Sequence, residues 1–301
     1  MSLPAPAHRS MPPGALLSPQ AVAAASGSSF LVSFRFLDEV RREGMVAIYA
    51  YCRVVDDAAD DAPDADTARE HLDFWRAELD AALLDGTLPR TEVGRAIARV
   101  VSLHRVEPRH LREILEGVGA DLDAPRHETE QSLDRYCYLV ASAVGLACLP
   151  VLGARGPVAE EYAVSLGKAL QWTNILRDLH ADARDGRVYV PRAWLRELGI
   201  EESWLRGQGP EAAYEAGGPL HELVRRIVAV AQRHFAAARA ALLRLDRSER
   251  RHLLPPRIMG AVYGELLQKL VRRGGDIRGA RLRIGRWRKL WIALRVAGSG
   301  R

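Results

Sequence analysis

Residues 48–61 read Ile48-Tyr49-Ala50-Tyr51-Cys52-Arg53-Val54-Val55-Asp56-Asp57-Ala58-Ala59-Asp60-Asp61. At about 100° per residue, Tyr49, Arg53, Asp56 and Asp60 share a stripe about 60° wide, with Asp57 and Asp61 toward its edge. The other side chains are apolar or nearly so, which predicts a helix buried over most of its circumference with one narrow polar seam. Acids this dense repel one another, and burying even two of them is costly unless a cation compensates. A divalent ion is the simplest compensation; a solvated acidic helix end running into Ala62-Pro63 is the structural alternative. Asp57 and Asp61 are also an i, i+4 pair, so spacing leaves them open as ligands, while alignment with Tyr49 and Arg53 favours Asp56 and Asp60.

A second acidic face follows roughly 120 residues later. With the same geometry, Gln171, Asn174, Asp178, Asp182 and Asp185 occupy a wedge about 80° wide, and Arg177 lies about 60° off it. Oxygen donors without histidine or thiolate suit a hard ion such as Mg²⁺, which keeps water and phosphate oxygens in its octahedron. A surface ion-pair face is the alternative. Neither stretch has the residue order of an EF-hand.

Around these faces the pattern is helical from Phe30 to Val271, with no alternating β-branched run, so the chain is expected to be all-α. Breaks fall at 62–66, 85–89, 107–108, 124–125, 153–157, 207–219 and 254–256, giving about eight helices. No linker is long or polar enough to divide the chain, which predicts one domain. Its 301 residues, 48% of them apolar, suffice for a large core. Cys52, Cys137 and Cys148 have no paired spacing, which argues against a zinc site or disulfide framework and fits a reducing cytoplasm. Tyr136–Ala154 runs 19 residues without a charge. Its Gly145, Ser142, Pro150 and two tyrosines favour a buried central helix over a membrane span. Residues 1–25 read as a disordered leader without a secretory signal. Residues 272–301 carry ten Arg/Lys and one Asp, so the net charge of +5 is local in origin. No recognition motif accompanies that charge, so nucleic acid is not an expected partner.

Several ordered motifs resemble the squalene/phytoene synthase family, the head-to-head trans-isoprenyl diphosphate synthases, from Ser26 onward. They are Ser28-Ser29-Phe30, Tyr49-Ala-Tyr-Cys-Arg53-x-x-Asp56-Asp57-x-x-Asp60, Tyr136-Cys-Tyr138 with Gly145, Gln171-x-x-Asn174-Ile-Leu-Arg177-Asp178-x-x-x-Asp182 and Gly186-Arg-Val-Tyr-Val-Pro191. Phe34-Arg-Phe36, Glu116-Gly-Val-Gly-Ala-Asp121 and Trp287-Arg-Lys-Leu-Trp291 look most like its bacterial, presqualene diphosphate-forming branch in hopanoid synthesis. Ala58-Ala59 and His180 depart from the usual pattern without touching an expected ligand.

The resemblance implies an isoprenoid synthase helical bundle with a central active-site cavity, a catalytic domain at 26–275 and a basic tail at 276–301. It implies more than one Mg²⁺ ion, held by Asp56 and Asp60 on one helix and by Asn174, Asp178 and Asp182 on the facing one. Ser29, Phe30, Tyr49, Arg53, Gln171, Arg177 and Tyr263 would meet the substrate, and Tyr136, Val140, Ala141 and Gly145 would flank its prenyl chains. Tyr49, Arg53 and the four aspartates of the clamp would carry the chemistry. The implied reaction joins two farnesyl diphosphates into presqualene diphosphate. Phytoene synthesis from two geranylgeranyl diphosphates, NADPH-dependent reduction on to squalene, and a noncatalytic assembly role are the alternatives. No dinucleotide fingerprint is present, so NADPH is not an expected cofactor. The basic tail, with Trp287 and Trp291 among its arginines, reads either as a peripheral anchor on the inner face of the cytoplasmic membrane or as a solvated helix end.

Overall fold

Ser18, Asp38, Asp64, Thr91 and Thr129 each accept a hydrogen bond from the backbone N–H three residues on, so five helix starts are capped by their own sequence. Pro108, Pro157 and Pro219 open three more, at positions where a missing N–H costs nothing. The computed structural model describes residues 11–26, 29–84, 86–122 and 126–298, without the side chains of Ser29, Phe30 and Val32.

In chain order the helices are α1 (Pro19–Ala25), α2 (Glu39–Asp60), α3 (Ala65–Leu83), α4 (Glu92–His104), α5 (Pro108–Gly119), α6 (Glu130–Cys137) and α7 (Ala143–Leu152). They continue with α8 (Pro157–Arg184), α9 (Arg192–Glu197), α10 (Glu202–Leu205), α11 (Pro219–Arg244), α12 (Arg247–His252), α13 (Leu254–Arg273) and α14 (Arg286–Gly298). A 3₁₀ stretch, Ser29–Phe36, precedes α2. Among the described residues no strand forms, and one isolated bridge joins Arg126 to Val188. The fold is all-α, as the periodicity requires. It has more helices than the eight or so expected, because α1, α9, α10 and α12 are too short to show a period.

Part of the leader is structured. Val22 and Ala23 on α1 are buried, α1 packs on α2, and Ala15 just before it is buried too. Two or three apolar side chains suffice to dock a two-turn helix, though they are too few to read as a pattern. Residues 1–10 of that leader lie outside the described residues.

The uncharged stretch runs from the last two residues of α6 through a π-helical turn at Tyr138–Ser142 into α7. The helix from Glu130 to Leu152 is long and apolar enough to cross a membrane, yet it is mostly buried within the bundle. Small residues let its neighbours approach. A Cβ on Gly167 of α8 would lie 2.6 Å from Ser142 Cα, and one on Gly117 of α5 would lie 2.8 Å from Val140. Ser142 donates to the Val164 carbonyl at 2.8 Å, so a buried hydroxyl also ties this wall to α8. Asp134 on α6 accepts from Lys168 and Trp172 of α8 and from His234 of α11, which locks these three helices around one carboxylate.

Two apolar cores result. One gathers α1 to α5, α7, the start of α8 and the end of α11 around Trp75, Met45 and Tyr51; the other gathers α6, the rest of α8, α9, α10, most of α11, α13 and α14 around Trp172. Tyr51 donates to the Leu111 carbonyl at 3.0 Å, fixing α2 against α5. The second core includes Ile277, Ile284, Ile292 and Ala293. The boundary expected at 275 therefore does not end the folded domain: the basic segment is anchored by its three isoleucines and Ala293.

Candidate active site

The first cluster occupies the last turns of α2, where Tyr51, Val54, Val55 and Ala58 hold one side of the helix in the core. Arg53 pairs with Asp57 at i, i+4, its Nε donating at 2.9 Å. Asp60 accepts from Arg187 at 3.0 Å. Water reaches Asp56, but protein surrounds it on most sides. That burial, reinforced by repulsion from Asp60 and only partly relieved by Arg53, pushes its carboxyl up to about 7. The helical angles that separate Asp56 and Asp60 from Asp57 thus correspond to different surroundings: Asp57 turns to an arginine of its own helix.

The second cluster occupies the last turns of α8, which ends at Arg184 with Asp185 as an exposed C-cap. Asp178 accepts from Arg177 and, through both oxygens, from Arg281 at 2.6 and 2.8 Å. Burial opposes its ionisation, but these guanidinium groups overcome that and hold the carboxyl below the usual range. Asp182 is pushed up to about 7 by burial and by Asp178. Asn174 donates to Gln171 at 3.2 Å, and its Oδ1 is buried with no hydrogen-bond partner among the described residues. Such an atom calls for an electrophile. Arg177 also bonds Tyr263 of α13.

The loop 186–191 closes the gap between the two helices. Arg187 reaches Asp60, and Tyr189 donates to Asp121 at 3.2 Å. Tyr136 donates to the other Asp121 oxygen at 2.7 Å, and the Tyr136 and Tyr189 rings stack with centroids 5.3 Å apart. Burial pushes the Asp121 carboxyl up to about 6 despite both phenols. Asp121, Arg187 and Tyr189 carry no role in the sequence reading, although they sit inside two of its motifs, Glu116–Asp121 and Gly186–Pro191. Arg281 is a correction: read as part of a basic tail that is either a peripheral anchor or a solvated helix end, it is paired here with Asp178, because the segment before α14 folds back to the end of α8. His180, the other departure, bonds the Leu205 carbonyl at 2.9 Å and serves packing.

Below this rim lies an apolar cavity of about 260 Å³. Val140, Ala141 and Gly145 line one wall, Cys148, Leu149 and Leu152 extend it, and Gln171, Asn174 and Tyr263 form its polar end. Of the four residues expected to flank prenyl chains, Val140, Ala141 and Gly145 line this cavity, and Tyr136 stands in the aromatic stack with Tyr189. Tyr49 is partly buried against the first core. The side chains of Ser29 and Phe30 lie outside the described residues.

The donor set fits a hard divalent cation: oxygen only, with one orphaned amide oxygen and two carboxyls whose surroundings penalise bare charge. Among the described residues no group of three or more acids, histidines or cysteines stands at metal-ligating spacing, and Asp60 and Asp178 are drawn to Arg187, Arg177 and Arg281.

Comparison with known proteins agrees with this geometry. The chain is 35% identical over 274 residues to a presqualene diphosphate synthase of Rhodopseudomonas palustris, covering 91% of this chain and 94% of that one. It is 30% identical over 293 residues to a phytoene synthase of Pseudescherichia vulneris, covering 92% and 88%. A solved structure of a dehydrosqualene synthase in complex with ligand superposes with a TM-score of 0.80 at 23% identity, covering 93% and 94%. The squalene/phytoene synthase pattern matches residues 23–288, and the chain belongs to that family.

Proposed function

We propose that this chain condenses two farnesyl diphosphates head to head into presqualene diphosphate. One observation carries the reading: the apolar cavity of α7 and α8 ends at Gln171, Asn174 and Tyr263, one helical turn before Asp178, and Arg187 just beyond α8 reaches across to Asp60 of α2. A ligand with a long hydrocarbon chain and an anionic head fits such a site. The identity to the presqualene diphosphate synthase supports the product.

Asp56, Asp60, Asn174, Asp178 and Asp182 would hold Mg²⁺, which supplies charge stabilisation to the departing diphosphate. Arg53, Arg177 and Tyr263 donate to diphosphate oxygens, and Gln171 with Tyr49 fixes their orientation. As the C1–O bond of one substrate breaks, the allylic cation stays in the cavity, where apolar walls keep water away. The C2=C3 bond of the second molecule attacks it, and loss of one proton closes the cyclopropane. The Tyr136–Asp121–Tyr189 network keeps the aromatic wall in register beside the reacting carbons. This chemistry needs no NADPH. We place the enzyme in the cytoplasm, peripheral on the inner face of the membrane that receives its product.

The phytoene synthase relative supports a second reading, two geranylgeranyl diphosphates in the same site. Purified protein with either diphosphate, Mg²⁺, and NADPH present or absent, followed by product analysis, tests both. Presqualene diphosphate from the C15 substrate without NADPH is expected. Phytoene formation alone would replace the first reading, and no diphosphate release in any arm would leave a noncatalytic assembly role.

A further inference from the structure

Helix α14 has two apolar faces, and among the described residues only one of them is covered. Ile292 and Ala293 are buried in the second core. On the opposite side Trp287, Leu290, Trp291 and Leu294 follow i, i+3, i+4, i+7 spacing and form one outward stripe. Trp287 is 73% exposed, Leu294 58% and Trp291 47%. Arginines stack on this stripe: Arg286 over Trp287, and Arg288 and Arg295 over Trp291.

Beside the stripe runs a groove of about 810 Å³ between α11, α13 and α14. Its apolar floor includes Phe235 and Leu267, and Arg239, Arg257, Arg272 and Arg295 are among its lining residues, with no carboxylate in the lining. Arg295 belongs to both features, so stripe and groove are continuous. Both also adjoin the prenyl cavity. Tyr162 and Leu166 line cavity and groove, and Met259 lines the cavity and the cleft under Trp287 and Leu290.

We propose that the outward face of α14 and the arginine-lined groove dock this protein on an anionic phospholipid bilayer. The Trp and Leu side chains enter the boundary between headgroups and acyl chains, where indole is favoured, and the groove arginines take lipid phosphates. Charge complementarity selects this occupant: four cations without a carboxylate would repel the same face of a second copy. That a docked cavity delivers an amphiphilic product to the bilayer rests on the proposed condensation; the docking surface itself does not.

The test uses the full chain and vesicles of phosphatidylcholine, alone or mixed with phosphatidylglycerol. Removing residues 275–301 would be uninformative, since Ile277 and Ile284 are core and Arg281 holds Asp178. Wild-type protein is expected to sediment with the mixed vesicles, to be released largely by high salt, and to show tryptophan quenching by brominated acyl chains. Trp287→Ser/Trp291→Ser should lower binding to mixed vesicles at least about tenfold. Arg239→Gln/Arg272→Gln should lower it several-fold. Both should keep wild-type helicity and vesicle-free turnover. Wild-type protein left in the supernatant overturns the proposal, as does undiminished binding by both double variants. So does a dimer that the Trp variant dissociates, without vesicle binding. Should the Trp variant misfold, the Arg variant and the quenching decide. A chain that binds vesicles but makes no condensation product refutes the reaction and leaves the surface standing; the reverse result does the opposite.

Discussion

The acidic faces of α2 and α8 look alike in sequence, and the structure balances their charge from different sources. On α2, Asp57 is neutralised within its own helix by Arg53, while Asp60 depends on Arg187, 127 residues away. On α8, Asp178 is held by its neighbour Arg177 and by Arg281, 103 residues away. On each face one carboxyl, Asp56 or Asp182, rises to about 7. Acids crowded at this rim are thus accommodated in two ways, by an arginine or by a raised pKa, and a divalent ion would replace both.

The largest expected effect separates clamp acids from bystanders. Asp178→Ala and Asp56→Ala should each lower turnover at least about a thousandfold, with circular dichroism unchanged, whereas Asp57→Ala should cost less than about tenfold. Equal losses in all three would break the distinction drawn between the two edges of the α2 stripe. Next in size is the close crossing of α8 over the turn between α6 and α7. Gly167→Ala forces a Cβ against the Ser142 backbone and should destabilise the fold by about 1–3 kcal/mol in urea titration. An unchanged midpoint would mean that α8 can shift without penalty.

Arg281→Gln releases Asp178 from one of its two cations. Calorimetric titration with Mg²⁺ in the absence of substrate should then show about five- to tenfold tighter binding, since the guanidinium no longer competes for the carboxylate. Weaker binding would instead make Arg281 a support for the site. The smallest effect is on pH dependence. Asp182 has a folded-state pKa near 7, above that of an unfolded carboxylate. Between those values the folded chain binds more protons, so this group's stabilising contribution is present in acid and lost as pH rises through about 7. In chelator, the melting temperature of wild type relative to Asp182→Asn should fall by a few degrees between about pH 5 and about pH 8. A flat difference would remove burial as the cause.

Much of this site is legible in one dimension. The helical angle alone distinguishes Asp56 from Asp57, and the uncharged run 136–154 marks the cavity wall through Val140, Ala141 and Gly145. Arg187, Tyr189 and Asp121 escape because they act from loops and helix ends, where no period assigns a facing side. Arg281 and α14 escape for another reason: a run rich in arginine reads the same whether it is solvated or packed, and only the burial of Ile277, Ile284 and Ile292 decides.

The sequence by itself determined the helices, their seams and the hard, oxygen-only character of the acidic faces, because a 3.6-residue repeat and side-chain chemistry are local properties. Only the tertiary structure decided which arginine neutralises which aspartate, that Tyr136 and Tyr189 share Asp121, and which face of α14 looks outward. The long-range pairings, Arg187 with Asp60, Arg281 with Asp178 and Tyr189 with Asp121, join residues 127, 103 and 68 positions apart, and their geometry is set by how two apolar cores close around α8 rather than by any spacing along the chain.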